Sequence, residues 1–250
     1  MSDKESRIIL ALDVDTVGRA VELMEAVKGQ ICMVKVGLEL ITAQLAGEVT
    51  ERARGRGYAV FWDGKPDDVP RTIGKAVKEA SRRGAMMINV HANATVEGMM
   101  AAVANKGDAL ILAVSALTSI DTEEVELEFG HSRKAQVLYY GRMASYAGCD
   151  GLICSPKELE FLAKFYSRKE NPEEQLARLV KVIPGTRSPG ADAHDQKNVL
   201  TQEVAILNGA DWLVIGSEII KAKDPAEAAA ALNARIAQAL AEKEKGAVAV

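Results

Sequence analysis

Short, continuously apolar runs punctuate the chain, separated by longer stretches in which apolar residues recur at helical spacing. The runs at 7–12, 33–36, 58–62, 86–90, 109–114, 151–154, 179–183 and 212–215 read as strands. None alternates cleanly between apolar and polar, as expected of parallel strands covered on both faces. Between them the spacing predicts helices, among them 16–29, 39–55, 70–84, 95–106 and 156–166. Pro70 and Pro156 suit a first helical turn, and several of the helical stretches stop at Gly.

Eight strand–helix units in 250 residues predict an α/β fold of the closed (β/α)8 TIM-barrel type, with the whole of 1–250 as a single domain. A doubly wound sheet is the structural rival. It usually carries a glycine-rich first turn, and the first turn here, LDVDTVG, has no G-x-G-x-x-G. Two segments break the rhythm. Residues 166–177 are polar and charged and read as a surface insertion between the sixth and seventh units. Residues 185–196, GTRSPGADAHDQ, follow the seventh strand, where barrels often bind phosphate, and read either as a loop or as a lid over an active site.

Composition narrows the function classes. With 48% hydrophobic and 26% charged residues the profile is that of a globular protein. A net charge of −4 gives no electrostatic footprint for nucleic acid or an anionic membrane surface. No apolar run approaches the roughly 18 residues of a membrane span, and the polar start, MSDKESR, does not read as a signal peptide. Cys32, Cys149 and Cys154 are odd in number and lack metal-ligand spacing, which fits structural thiols and a cytoplasmic location.

In a barrel the C-terminal ends of the strands line the active site. Those positions carry Asp13, Lys35, Asp63 with Lys65, His91, Thr118 and the stretch from Gly185. Strand side chains alternate, so Asp63 and Lys65, two apart, point to one face, and if that face is inward an ammonium and a carboxylate share a confined mouth. Rim salt bridges are the bland reading of each charge. Taken together, Asp13, Lys35, Asp63 and Lys65 form an alternating array that satisfies itself. A further anion placed beside Asp63 would be repelled by about 4 kcal/mol at an effective dielectric near 20. Such an array can expel a substrate carboxylate as CO2 while a lysine protonates the carbon left behind. His91 reads as a histidine tied to backbone or as a group behind the site, and Asp67 has no assigned role. His131 and His194 lack ligand partners, Tyr139 and Tyr140 read as packing residues, and the Met99–Met100 pair reads as core or interface filler.

Over nearly its whole length the chain resembles the bacterial-type orotidine 5′-monophosphate decarboxylases. The resemblance rests on ALD (11–13), VKVGLEL (34–40), DGKPDDVPRT (63–72), VHA (90–92), AVSALTS (113–119), CSPKE (154–158), PGTR (184–187), DQ (195–196) and the GAD-LVIG stretch (209–216). It implies cofactor-independent, metal-free decarboxylation of orotidine 5′-monophosphate to uridine 5′-monophosphate in pyrimidine biosynthesis. It also implies roles. Asp63 would sit beside the scissile carboxylate, Lys65 would protonate C6, and Lys35 with Asp13 would hold the ribose hydroxyls. Asp68 and Thr72 would complete the site of a partner in a homodimer. Thr118 would read the pyrimidine, Gln196 would bridge base and phosphate from the lid, and Arg187 would grip the phosphate beside Pro184 and Gly216.

One position departs from the pattern. After the eighth strand the family usually has V-I-G-R, with an arginine that binds phosphate. This chain has V-I-G-S, so Ser217 stands there, followed by Glu218. A hydroxyl cannot replace a bidentate cation, and Glu218 adds a like charge if it faces the ligand, so weakened phosphate affinity is expected. Two alternatives remain. One is a metal-dependent sugar-phosphate decarboxylase or aldolase of the same barrel group, opposed by Lys35, because an ammonium cannot ligate a metal. The other is a degenerate nucleotide-binding homologue.

Overall fold

The computed structural model describes residues 6–115, 130, 132–166, 174–188 and 200–248. Eight parallel strands close into a barrel in sequential order, β1 to β8, with β1 pairing both β2 and β8. They are β1 Ile8–Ala11, β2 Met33–Val36, β3 Ala59–Trp62, β4 Met87–His91, β5 Leu110–Val114, β6 Gly151–Ile153, β7 Val180–Pro184 and β8 Trp212–Ile215. The expected (β/α)8 architecture is the one observed, with each strand shifted by no more than two residues from its reading in the sequence.

Two apolar layers explain why the strands read as unbroken apolar runs. Ile9, Met33, Phe61, Met87, Leu112, Val114, Ile153 and Val182 pack together inside the barrel. Their neighbours in sequence, including Ile8, Leu10, Val34, Val60, Ile88, Ile111, Ile183 and Leu213, pack outward against the helices. Both faces are dry, so neither can alternate with polar residues. Above Met33, Phe61 and Met87 the inner face turns polar, at Lys35, Asp63 and Asn89.

Helix boundaries follow local chemistry. Thr16, Ser132 and Thr201 accept hydrogen bonds from the N–H groups of Arg19, Ala135 and Val204 at three helix starts. The CSPKE motif is a capping box at the start of Pro156–Tyr166. The Ser155 N–H donates to Glu158 Oε2 at 2.7 Å, and the Glu158 N–H donates to Ser155 Oγ at 3.3 Å. Glu158 also receives Arg133 Nε at 2.6 Å in a buried pair that joins the starts of two helices. Burial pushes the Glu158 carboxyl up, and the Arg133 charge offsets this only in part.

Some expectations are corrected. The stretch 39–55 is two helices, Leu38–Thr42 and Ala46–Gly55, because Gln44 takes φ 63° between them and Leu45 N–H closes onto the Leu40 carbonyl at 2.9 Å. The break lets Leu40 and Val49 both be fully buried, which apolar spacing alone does not reveal. Within 166–177, Tyr166 ends one helix, Glu174–Ala177 forms another, and Leu176 is buried, so this end of the stretch contributes to the core. Of the two tyrosines read as packing, Tyr140 is buried but Tyr139 is exposed; of the methionine pair read as core or interface filler, Met99 is buried and Met100 exposed. Cys149 and Cys154 are buried and Cys32 half-buried, and burial pushes the Cys149 thiol up to about 12. Among the described residues, no helix is long and apolar enough to cross a membrane.

Candidate active site

The C-terminal mouth of the barrel holds an alternating line of charge. Lys35 Nζ, on β2, donates to Asp13 Oδ1 at 2.9 Å and lies 3.1 Å from Asp63 Oδ2. Lys65 Nζ donates to Asp63 Oδ1 at 2.6 Å. Lys35 and Asp63 are buried, so these are not rim salt bridges. Burial alone would push the Asp63 carboxyl up, but Lys35 and Lys65 override it and hold Asp63 below the ordinary carboxylate range. Burial likewise pulls the Lys35 ammonium down, and Asp63 with Asp13 more than compensates, leaving it raised. Both groups are therefore charged at neutral pH, each because of the other.

Strand pleating does not account for the meeting of Asp63 and Lys65. β3 ends at Trp62; the Asp63 N–H still continues the ladder by donating to the Val36 carbonyl at 2.9 Å. Beyond it the chain turns, and Lys65 takes φ 46° in the left-handed region. Asn89 holds that turn. Its Oδ1 accepts the Lys65 N–H at 2.8 Å, and its Nδ2 donates to Asp63 Oδ1 at 2.6 Å. Asn89 is fully buried on β4 and escaped the sequence reading. Its signal was a polar residue in the middle of the apolar MINV run, two positions from Met87 and so on the same inward face. Gly37 is a second omission. A side chain there would lie 2.7 Å from Lys35 Nζ and 3.3 Å from Asp13 Oδ1, so the array needs glycine for its close approach.

A cavity of about 320 Å3 opens over this array. One side carries Asp13, Lys35, Asp63 and Lys65; the other carries Pro184, Gly185, Arg187, Gly216 and Ser217, above a floor of Phe61, Ile153 and Val214. Eight residues expected at the site are thus brought together from β1, β2, β3, β7 and β8. Arg187 Nη1 donates to the Thr186 carbonyl at 2.8 Å, while its buried Nε has no hydrogen-bond partner among the described residues. Glu218 does not line the cavity. Its carboxylate receives Ser188 Oγ, and Gln202 Nε2 at 3.0 Å, so the expected like charge is turned away from the cavity.

Asp68 and Thr72 are exposed and do not line this cavity, and the Asp68 carboxylate accepts the Val69 N–H at 2.6 Å. Thr118 and Gln196 lie outside the described residues, as do His131, His194 and most of the 185–196 segment. Asp67 gains a partner in Asn93, whose Nδ2 donates to Asp67 Oδ2 at 3.3 Å, while the Tyr140 hydroxyl donates to Asn93 Oδ1 at 3.1 Å. His91 Nδ1 accepts the Asn93 N–H at 3.2 Å, which ties the ring to backbone. Together these bonds brace the loop after β3 against the end of β4.

The profile of the orotidine 5′-phosphate decarboxylase / HUMPS family matches residues 6–232. The chain belongs to this family. Among curated orotidine 5′-phosphate decarboxylases, those of Pseudomonas aeruginosa (strain LESB58) and Pseudomonas syringae pv. tomato (strain ATCC BAA-871 / DC3000) are 38% and 37% identical to it. These matches span 94% and 95% of this chain and the whole of each relative. Among solved structures, orotidine 5′-phosphate decarboxylase from Lactobacillus acidophilus superposes with a TM-score of 0.75 at 26% identity, over 92% of this chain and 98% of that one. An uncharacterized conserved protein from Geobacillus kaustophilus gives the same TM-score at 28% identity, covering 92% and 99% of the two chains. In this member of the family the lysine–aspartate array faces Arg187 and Ser217 across one cavity.

Proposed function

We propose that this protein is a carboxy-lyase that converts orotidine 5′-monophosphate to uridine 5′-monophosphate in pyrimidine biosynthesis. The observation that carries the reading is a buried aspartate clasped between two lysines at the mouth of a cavity whose far side carries Arg187, with a buried Nε that has no hydrogen-bond partner among the described residues. With the phosphate at Arg187 and the ribose hydroxyls at Lys35 and Asp13, the pyrimidine carboxylate is directed toward Asp63. The repulsion between the two carboxylates, about 4 kcal/mol at a 4 Å separation and an effective dielectric of 20, is relieved when the C6–carboxylate bond breaks. CO2 leaves, the electron pair stays on C6, and Lys65 transfers its proton there. Phosphate and ribose contacts supply the binding energy that holds this unfavourable juxtaposition.

No step here calls for a metal, and among the described residues no group of three or more His, Cys, Asp or Glu side chains is disposed to hold one. The test follows the absorbance change on decarboxylation of orotidine 5′-monophosphate, with and without a chelator. Turnover indifferent to the chelator is expected. Binding without turnover would favour a nucleotide-binding homologue, and loss of activity with the chelator would favour the metal-dependent reading.

The reading extends to a homodimer in which Asp68 and Thr72 enter the partner's site. Its support is that both are exposed beside Val69, and that Met100 and Tyr139 are exposed on the two helices packed next in line. Lys65→Ala and Asp68→Ala proteins are each expected to be nearly inactive. Unfolded and refolded together, they should regain about a quarter of wild-type activity, because half the dimers then hold one complete site. A mixture no more active than its components would place Asp68 in its own chain's site.

A further inference from the structure

The residues behind the phosphate side of the cavity form a closed network that the catalytic reading leaves unused. Arg235, on the C-terminal helix Pro225–Val248, donates through Nη1 to Ser188 Oγ at 2.6 Å and through Nη2 to Gln202 Oε1 at 3.1 Å. Its Nε donates to Glu203 Oε1. Ser188 Oγ in turn donates to Glu218, and Gln202, fully buried, donates to the other oxygen of the same carboxylate. One guanidinium thus ties together the loop after β7, the helix Gln202–Leu207 and the turn after β8. Ser188 directly follows Arg187, and the Arg187 N–H is itself held by the Leu200 carbonyl at 3.1 Å.

We infer that Arg235 is a positioning residue for phosphate recognition, acting through Ser188 to fix Arg187 and through Ser188 and Gln202 to keep the Glu218 carboxylate out of the cavity. The inference rests on the proposed decarboxylase reading. It accounts for how phosphate can be gripped with serine at 217: on this side of the cavity Arg187 is the one cation among the described lining residues. A single long side chain recognises a dianion well only if its base is immobilised, since its fork then meets the ligand without further ordering. Anchoring Ser188 on one side and the Arg187 N–H on the other does that. The same bonds spend Glu218 on Ser188 and Gln202 rather than on repelling the ligand.

The test compares inhibition by uridine 5′-monophosphate and by uridine, which differ only in the phosphate. Arg235→Met and Ser188→Ala are each expected to weaken the nucleotide roughly five- to twentyfold, the loss of a charge-assisted tether, and to leave uridine unchanged. KM should rise with kcat nearly constant. Because the two residues act in series, the double variant should be little worse than Arg235→Met alone. Ser217→Arg should restore nucleotide affinity in the Arg235→Met background by supplying a second cation. Equal shifts for uridine and its monophosphate, no shift for either, or strictly additive losses would overturn the inference. If Arg235→Met fails to fold, Ser188→Ala, which alters no charge, decides the matter alone. A wild-type protein that does not prefer the monophosphate over uridine would instead sink the functional reading itself.

Discussion

Replacing Asp63 with alanine is expected to lower kcat about a thousandfold or more while leaving KM no higher than in the wild type. The carboxylate repulsion proposed to drive CO2 loss is on the order of 4 kcal/mol, and each 1.36 kcal/mol of barrier is about tenfold in rate. The direction of the KM change is the more telling part. Without Asp63 the cavity keeps Lys35 and Lys65, so a substrate carboxylate can settle between two ammonium groups and bind at least as well as before. Lys35 retains Asp13 at 2.9 Å, which keeps one of its two counter-ions in place. Steady-state kinetics with orotidine 5′-monophosphate separate the two parameters. A near-normal kcat, or a loss carried wholly by KM, would mean that Asp63 binds substrate rather than destabilising it.

Most of the fold was legible because the physical constraint that shapes it acts along the sequence. A parallel strand covered on both faces is apolar at most positions, and eight such runs at β-α spacing leave little choice of architecture. The charged array was legible for the complementary reason: Asp13, Lys35 and Asp63 interrupt apolar runs at their C-terminal ends, where barrels keep their sites. What escaped notice was set by contacts between distant residues. The break at Gln44 serves the simultaneous burial of Leu40 and Val49 and leaves no glycine or proline as a mark. The convergence of Asp63 and Lys65 was reached by the wrong route, since a left-handed turn rather than the strand pleat brings them together. Glu218 could be read as adjacent to the phosphate end but not as turned away from it, because Ser188, Gln202 and Arg235 come from three other segments. Asp67 was opaque until Asn93 appeared beside it.

Asn89 offers the second large effect, and its pH dependence separates a role in the reaction from simple packing. Replacing it with leucine removes a donor to a charged carboxylate, worth about 1.5–3 kcal/mol, and leaves the Lys65 N–H without its acceptor. A fall in kcat of roughly a hundredfold is expected from those terms together. Asp63 is held below the ordinary carboxylate range against its burial by Lys35, Lys65 and the Asn89 bond. With the bond gone its pKa must rise, so the acid limb of kcat/KM moves to higher pH. The stability that ionised Asp63 contributes is present above its unfolded pKa and is lost as pH falls through the depressed folded one. In the leucine variant that contribution is smaller and its loss is complete at a higher pH. Asn89→Asp should behave in the opposite sense. The new carboxyl and Asp63 lie within hydrogen-bond range and cannot both ionise without strong repulsion, so the pair holds one proton and titrates as a unit. With that proton in place the new side chain can donate to Asp63 and accept from Lys65 much as asparagine does. Its activity should therefore persist at low pH and fall as pH rises, while the leucine variant falls as pH drops. Parallel pH profiles for the two variants, or a kcat within a few fold of wild type for both, would reduce Asn89 to a satisfied buried amide.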